Sequence, residues 1–257
     1  AVFLEVHPEP NNCDVMFSGL PVESVWAWNR AFRPQQFVRD PGELGAAPPE
    51  WLVYYPSNHV HAVLRNLHTL NGGTPYLIKL ADGSGPVAWT VTGTPRVRPA
   101  AWYPDTFNLV GMYVSDENPP TIQEYFAPSP AHAGQPVYTL NSAGQWEQIT
   151  AIHTTRVQRG RAYWVRCNGV SSYAGPLSVY LDGAAAVEFG NGSPEIAVRI
   201  RHAGPGPRTC SIVSRASAAP PAGYGGPVLA GMVPLSYWEA DFARRAFQWK
   251  PVPASLN

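Results

Sequence analysis

Short runs of β-branched and aromatic residues alternate with turn formers along most of the chain, and sustained helical periodicity is sparse. Ile196, Val198 and Ile200 alternate with Ala197, Arg199 and Arg201, which predicts a strand with one face toward a core and the other toward water. Residues 76–80 and 87–91 flank Ala81-Asp82-Gly83-Ser84-Gly85-Pro86, and residues 163–167 and 177–181 flank a second turn-rich stretch. Both read as hairpins, because these turns supply the left-handed and fixed-φ positions of tight reversals. Residues 137–140 and 145–149 around Asn141-Ser142-Ala143-Gly144 predict another, with a longer counterpart in 37–39 and 51–55. Residues 25–32 and 121–126 follow proline-marked turns and predict one or two turns of helix, and 239–245 reads as the turn between two aromatic strands.

These elements recur. Gly73-Thr74-Pro75-Tyr76-Leu77-Ile78-Lys79-Leu80 aligns with Gly160-Arg161-Ala162-Tyr163-Trp164-Val165-Arg166-Cys167, and Gly85-Pro86 with Gly175-Pro176. Phe17-Ser18-Gly19-Leu20 aligns with Leu109-Val110-Gly111-Met112, at a spacing that drifts as small loop insertions would make it. The expectation is an all-β chain of two tandem duplicated β-sandwich or β-barrel-like modules, residues 1–94 and 95–183. A third, immunoglobulin-like β module follows in 184–257. That module has too few strands for a sandwich of about seven, so a neighbouring subunit or a longer chain is expected to complete it.

The second copy, with Phe107-Asn108-Leu109-Val110-Gly111, Val137-Tyr138, Gln145-Trp146 and Gly160-Arg161-Ala162-Tyr163-Trp164-Val165, resembles the tandem β modules of large secreted and surface bacterial proteins. The resemblance implies a spacer or surface role and supplies no catalytic residues.

Composition narrows the partners. Charged residues are 14% of the 257, with 18 basic and 18 acidic side chains balancing to zero, and lysine occurs only at 79 and 250. Nucleic-acid binding, which needs clustered cations to displace counterions from phosphates, is therefore not expected. No apolar run approaches the roughly 20 residues of a membrane-spanning helix. Hydrophobic residues at 45% and aromatics at 12% argue for folded rather than disordered structure.

Few residues assemble into chemistry. Cys167 aligns with apolar Leu80 and reads as a buried inert thiol; Cys13 and Cys210 are the pair left for a bridge in an exported chain. His59 and His61 share a strand face but lack a third metal ligand, and Asp116-Glu117-Asn118 before two prolines reads as a solvated turn. No Gly-x-Ser-x-Gly elbow or phosphate-cradling loop occurs, so no enzyme and no cofactor are expected.

Two functions follow as expectations. The first is a non-catalytic extracellular structural protein building a surface layer, stalk or fibre by self-association or by packing on neighbouring surface proteins. Val2, Phe3, Leu4, Glu5 and Val6 are then the strand lent to the next subunit. Ala1 fits the first residue after signal-peptide removal, which places the chain outside the cell or at its surface. The alternative is a carbohydrate-binding or adhesive module in which Trp26, Trp28, Trp51 and Tyr54 stack on polysaccharide.

Overall fold

The computed structural model describes residues 1–29, 50–96, 100–181, 195–204, 212, 235–241 and 246–252. Its fold is all-β. In chain order the elements are β1 (Val2–Leu4), β2 (Val6–Pro8), a single-turn α1 (Cys13–Met16), β3 (Val22–Trp28), β4 (Trp51–Tyr54), β5 (Thr74–Leu80) and β6 (Gly93–Pro95). Then come β7 (Phe107–Gly111), α2 (Ile122–Phe126), β8 (Val137–Leu140), β9 (Trp146–Gln148), β10 (Ala162–Arg166), β11 (Leu177–Leu181), β12 (Val198–His202), β13 (Ser236–Asp241) and β14 (Ala246–Pro251).

Two four-stranded antiparallel sheets carry most of the structure, in the orders β1-β5-β3-β4 and β7-β10-β8-β9. Each places its first strand beside its fourth, then its second, then its third. In each, a short helix joins the first strand to the second. Matching hydrogen bonds extend the equivalence. Asn71 N–H donates to Tyr76 Oη at 2.7 Å, and Gln158 N–H donates to Tyr163 Oη at 3.0 Å. Cys13 N–H reaches His68 O, and Ile122 N–H reaches Thr155 O, both at 2.9 Å. Gly73 and Gly160 hold φ of 72° and 69°, which side chains with a Cβ rarely adopt.

The helices are capped differently at equivalent places. Asn12 Oδ1 accepts from Asp14 N and Val15 N, whereas Thr121 and Glu124 form a reciprocal capping box. Each sheet has its own core: Leu4, Phe17, Val25, Leu70 and Tyr76 in one, and Met112, Ile122, Phe126, Val137 and Val165 in the other. Burying such aliphatic and aromatic side chains contributes roughly 1.5–3 kcal/mol each.

The sheets also meet each other. Phe3 lies on Gly111 so closely that a Cβ there would overlap the ring. Trp164 meets Trp28, Trp51 and Trp146 edge on, with centroids 5.4, 6.3 and 6.1 Å away. By contacts the chain divides into two compact units, Ala1–Pro205 and Gly206–Asn257, and both four-stranded sheets fall within the first. In the second unit the described structure is the β13–β14 hairpin, with Trp238 in register with Trp249.

Several local expectations are corrected. Residues 25–28 belong to β3, and the helix of the first half is α1. Phe17-Ser18-Gly19-Leu20 is the turn leaving α1, with Gly19 at φ 75°, while the true counterpart of β7 is β1. Residues 87–91 form no strand; Gly93–Pro95 pairs instead with Val6–Pro8. Strand β11 pairs with β12 and not with β10. The hairpin near the end of the chain closes at Asp241 and Ala246, so its strands run deeper into 239–245 than the aromatics alone suggested. The expected strand at 37–39, and most of the proposed third module, lie outside the described residues.

Candidate functional site

The aromatic residues singled out for stacking on sugar are placed differently from one another. Tyr54 is 3% exposed; its Oη donates to Asp14 Oδ1 at 3.1 Å, and burial with that bond pushes its pKa up to about 12. A ring so enclosed offers no face to a ligand, which corrects its assignment. Trp28 and Trp51 are half-buried against the Trp164 edge, and Trp28 also meets Tyr103 at 5.7 Å. They belong to the seam between the sheets, alongside a cavity of about 410 Å³ in which Phe3, Trp28, Tyr76, Trp102 and Tyr125 stand and which no charged side chain lines among the described residues. Trp26 remains half-exposed, its Nε1 donating to Ser24 Oγ at 3.1 Å and its ring T-shaped to Tyr55.

The segment proposed for lending to another subunit is occupied within its own chain. Val2, Phe3 and Leu4 pair with Tyr76, Pro75 and Thr74 on one side. On the other, Phe3 N–H donates to Gly160 O at 2.7 Å and Val2 bridges Arg161. Glu5 accepts from Arg159 Nε at 2.7 Å, and Val6 pairs with Pro95. With Phe3 and Leu4 about 5% exposed, withdrawing this strand would open the first core and uncover Gly111 at the contact with the second sheet.

The ribbon of β11 and β12 breaks the pattern of the rest. Register places Val179 opposite Ile200 and Leu181 opposite Val198 on one face, and Ser178 opposite Arg201 and Tyr180 opposite Arg199 on the other. The expected burial of one face is not met on β12, where Val198, Arg199, Ile200, Arg201 and His202 are all exposed. Ser178 is 6% exposed, whereas Leu177, Val198 and Ile200 are 49%, 44% and 41% exposed. The alternation at 196–201 is present in the register, but neither face of β12 is buried. Beneath the polar face is a chamber of about 270 Å³ to which Ser129, Ser171, Ser178, Tyr180 and Arg201 contribute. Sequence reasoning missed it because its walls come from three separated segments of serine-rich turn and strand.

Behind that chamber sits a buried pair. Ser129 Oγ lies 2.7 Å from His132 Nδ1, and the imidazole is enclosed by Trp102, Phe126 and Tyr173. Burial pulls the His132 pKa down to about 4, and its Nε2 has no hydrogen-bond partner. At neutral pH the ring is uncharged, and the Ser129–His132 hydrogen bond forms in either tautomer, with Nδ1 accepting from the hydroxyl or donating to it.

The other candidates fall to structural roles. Cys13 is a buried free thiol raised to about 12 by burial and by Asp14, and Cys167, also buried and free, donates to Gly169 O. The thiolate required of a nucleophile is therefore suppressed at both. Cys210 lies outside the described residues. His59 and His61 sit in a turn rather than a strand, with His59 stacked on Tyr55 at 4.8 Å and its Nδ1 accepting from His61 N–H. Asp116 pairs with Arg159 at 3.3 Å, and among the described residues no three His, Cys, Asp or Glu converge as a metal site would need. No described helix is long and apolar enough to cross a membrane.

Asn108 shows what the motif Phe107-Asn108-Leu109-Val110-Gly111 does. Its buried amide accepts from Tyr103 N–H and donates to Tyr103 O and Thr106 O, pinning the turn that enters β7. Compared with protein families, with curated proteins and with solved structures, the chain matches none.

Proposed function

We propose that the protein is a non-catalytic structural component of an extracellular or cell-surface assembly, joining a layer, stalk or fibre by packing of copies against one another. The observation that carries this reading is the outward apolar face of β11 and β12, where Leu177, Val198 and Ile200 stand in water on a two-stranded ribbon. A ribbon of two strands is marginal alone and gains from a cover on its apolar side. A second copy fits as that cover. Leu177, Val179, Leu181, Val198 and Ile200 form this face with His202 at one end and no Asp, Glu, Lys or Arg in the ribbon's register on that side, so two such faces can pack isologously, and the formal net charge of zero imposes no long-range repulsion between copies.

Edge-to-edge pairing is disfavoured, because an antiparallel β12 partner centred on Ile200 would set Arg199 opposite Arg201 of the other copy. Packing of faces, not strand lending by Val2–Leu4, is accordingly the mode of association. The reading without catalysis is supported by the Ser129–His132 pair, whose imidazole meets no carboxylate among the described residues and is too weak a base near neutrality. The secreted location rests on the resemblance of the second half to bacterial surface modules. The carbohydrate-binding alternative loses support at Trp28, Trp51 and Tyr54, whose rings are spent on packing.

Analytical ultracentrifugation over a range of concentrations tests the proposal. Wild-type protein is expected to self-associate, and Ile200→Lys with Leu177→Lys to sediment as a monomer with an unchanged far-ultraviolet spectrum. A wild-type monomer at every concentration, or association that survives both substitutions, overturns it.

A further inference from the structure

The inner face of the same ribbon points to a binding site. We propose that the chamber beneath β11 and β12 takes a carboxylated sugar, with the Arg201 guanidinium pairing the carboxylate and the hydroxyls of Ser129, Ser171, Ser178 and Tyr180 meeting those of the sugar ring.

Three features converge on this chemistry. The chamber, about 270 Å³, is larger than a tetrahedral inorganic anion needs and matches a ligand the size of one sugar ring. Its polar groups are nearly all hydroxyls, which both donate and accept, as sugar hydroxyls do. Ser129 Oγ is held at the chamber wall by its 2.7 Å hydrogen bond to His132 Nδ1. Ser171 Oγ already accepts from Tyr173 N–H at 3.1 Å, which leaves its own proton to give.

Charge selects among sugars. Arg201 forms no ion pair among the described residues and is exposed on β12, at the chamber. A planar guanidinium there matches a carboxylate with two parallel hydrogen bonds, a geometry that a neutral sugar cannot use. A single cation without a glycine-rich cradle does not suit a polyphosphate. Tyr180, on the inner face beside Ser178 and half-buried, supplies an aromatic side for the apolar face of the ring.

Saturation-transfer difference NMR and calorimetry with D-glucuronate, D-glucose and inorganic sulfate decide the matter. The expected result is glucuronate binding about tenfold or more tighter than either glucose or sulfate. Arg201→Gln is expected to abolish the preference over glucose, and Ser178→Ala to weaken both sugars. Arg159→Gln, on an exposed cation elsewhere, is expected to change neither. Equal binding of glucose and glucuronate, sulfate binding as tightly as glucuronate, or a preference that survives Arg201→Gln overturns the proposal. Arg201 is exposed, so its replacement leaves the fold intact, and an unchanged amide spectrum of the variant checks this. The test reads a monomeric property, so its failure leaves the assembly proposal standing, and the reverse holds as well.

Discussion

The two four-stranded sheets run through the same strand order with the same buried tyrosine bonded to the backbone of the loop before it, yet they differ at the position where they touch. Val2 pairs with Tyr76 as Val110 pairs with Tyr163, which makes Phe3 the counterpart of Gly111. One position carries a ring and its equivalent carries no side chain, and the first lies on the second. Two copies with phenylalanine at both places would collide; two with glycine would leave a hole. The difference teaches that a duplicated sheet becomes one body by losing symmetry at its contact, while positions facing each separate core keep it. Leu4 and Met112, Val25 and Val137, and Leu70 and Val157 are such core pairs, all buried.

The largest expected effect comes from restoring the symmetry. Gly111→Phe forces a second ring into the space of Phe3, and overpacking between two sheets is expected to cost about 3 kcal/mol or more. Adding Phe3→Gly removes the collision and puts a ring and a gap back in contact with the roles exchanged. Chemical denaturation is expected to find the double variant more stable than Gly111→Phe alone. Losses that merely add would show that Phe3 and Gly111 do not share one space.

That contact also marks the limit of what the chain discloses before its fold is known. The fourth strands were legible because Gly73 and Gly160 both stand at positive φ ahead of an aromatic run, a constraint written into residue type. The first strands were not. The Phe17-Ser18-Gly19-Leu20 stretch imitates the glycine of β7, but Gly19 serves a turn after a helix whereas Gly111 serves a close approach between sheets. Local sequence does not distinguish these uses. Helix α2 was legible from the proline-marked turn ahead of 121–126, and α1 was missed because one turn after Asn12 shows no period. The alternation in β12 was plain; that neither of its faces is buried was not, because burial depends on what the rest of the chain packs against the strand. Likewise nothing local tells that Tyr54 is sealed in by Asp14 and its neighbours while Trp26 is not.

Acid is expected to separate the halves next. His132 lies between α2 and β8, in a connection longer than that between α1 and β3, and is the one histidine buried among the described residues. Its pKa falls from 6.5 to about 4 in the folded chain because burial penalises the charged ring. The unfolded chain therefore binds the extra proton first. The stabilising contribution is complete above pH 6.5 and drains away as pH falls toward 4, by an amount on the order of 3 kcal/mol. Denaturation at neutral pH and near pH 4 is expected to show this loss in the wild type and a shallower slope in His132→Leu. Identical slopes would mean that His132 does not titrate between the folded and unfolded states in this range.

The smallest effect bears most directly on the equivalence itself. Tyr76→Phe and Tyr163→Phe each remove the oxygen that accepts a backbone N–H, from Asn71 in one sheet and Gln158 in the other. Both rings are buried at 2% exposure, so water cannot replace the lost acceptor freely, and each change is expected to cost about 1–3 kcal/mol. Because the two tyrosines stand in different cores, the costs are expected to add in the double variant. Amide exchange supplies the local readout: protection should fall at Asn71 in the first variant and at Gln158 in the second. A substantial loss at one site with none at the other would reduce the shared strand order to a likeness of connection, without the same bond holding each half together.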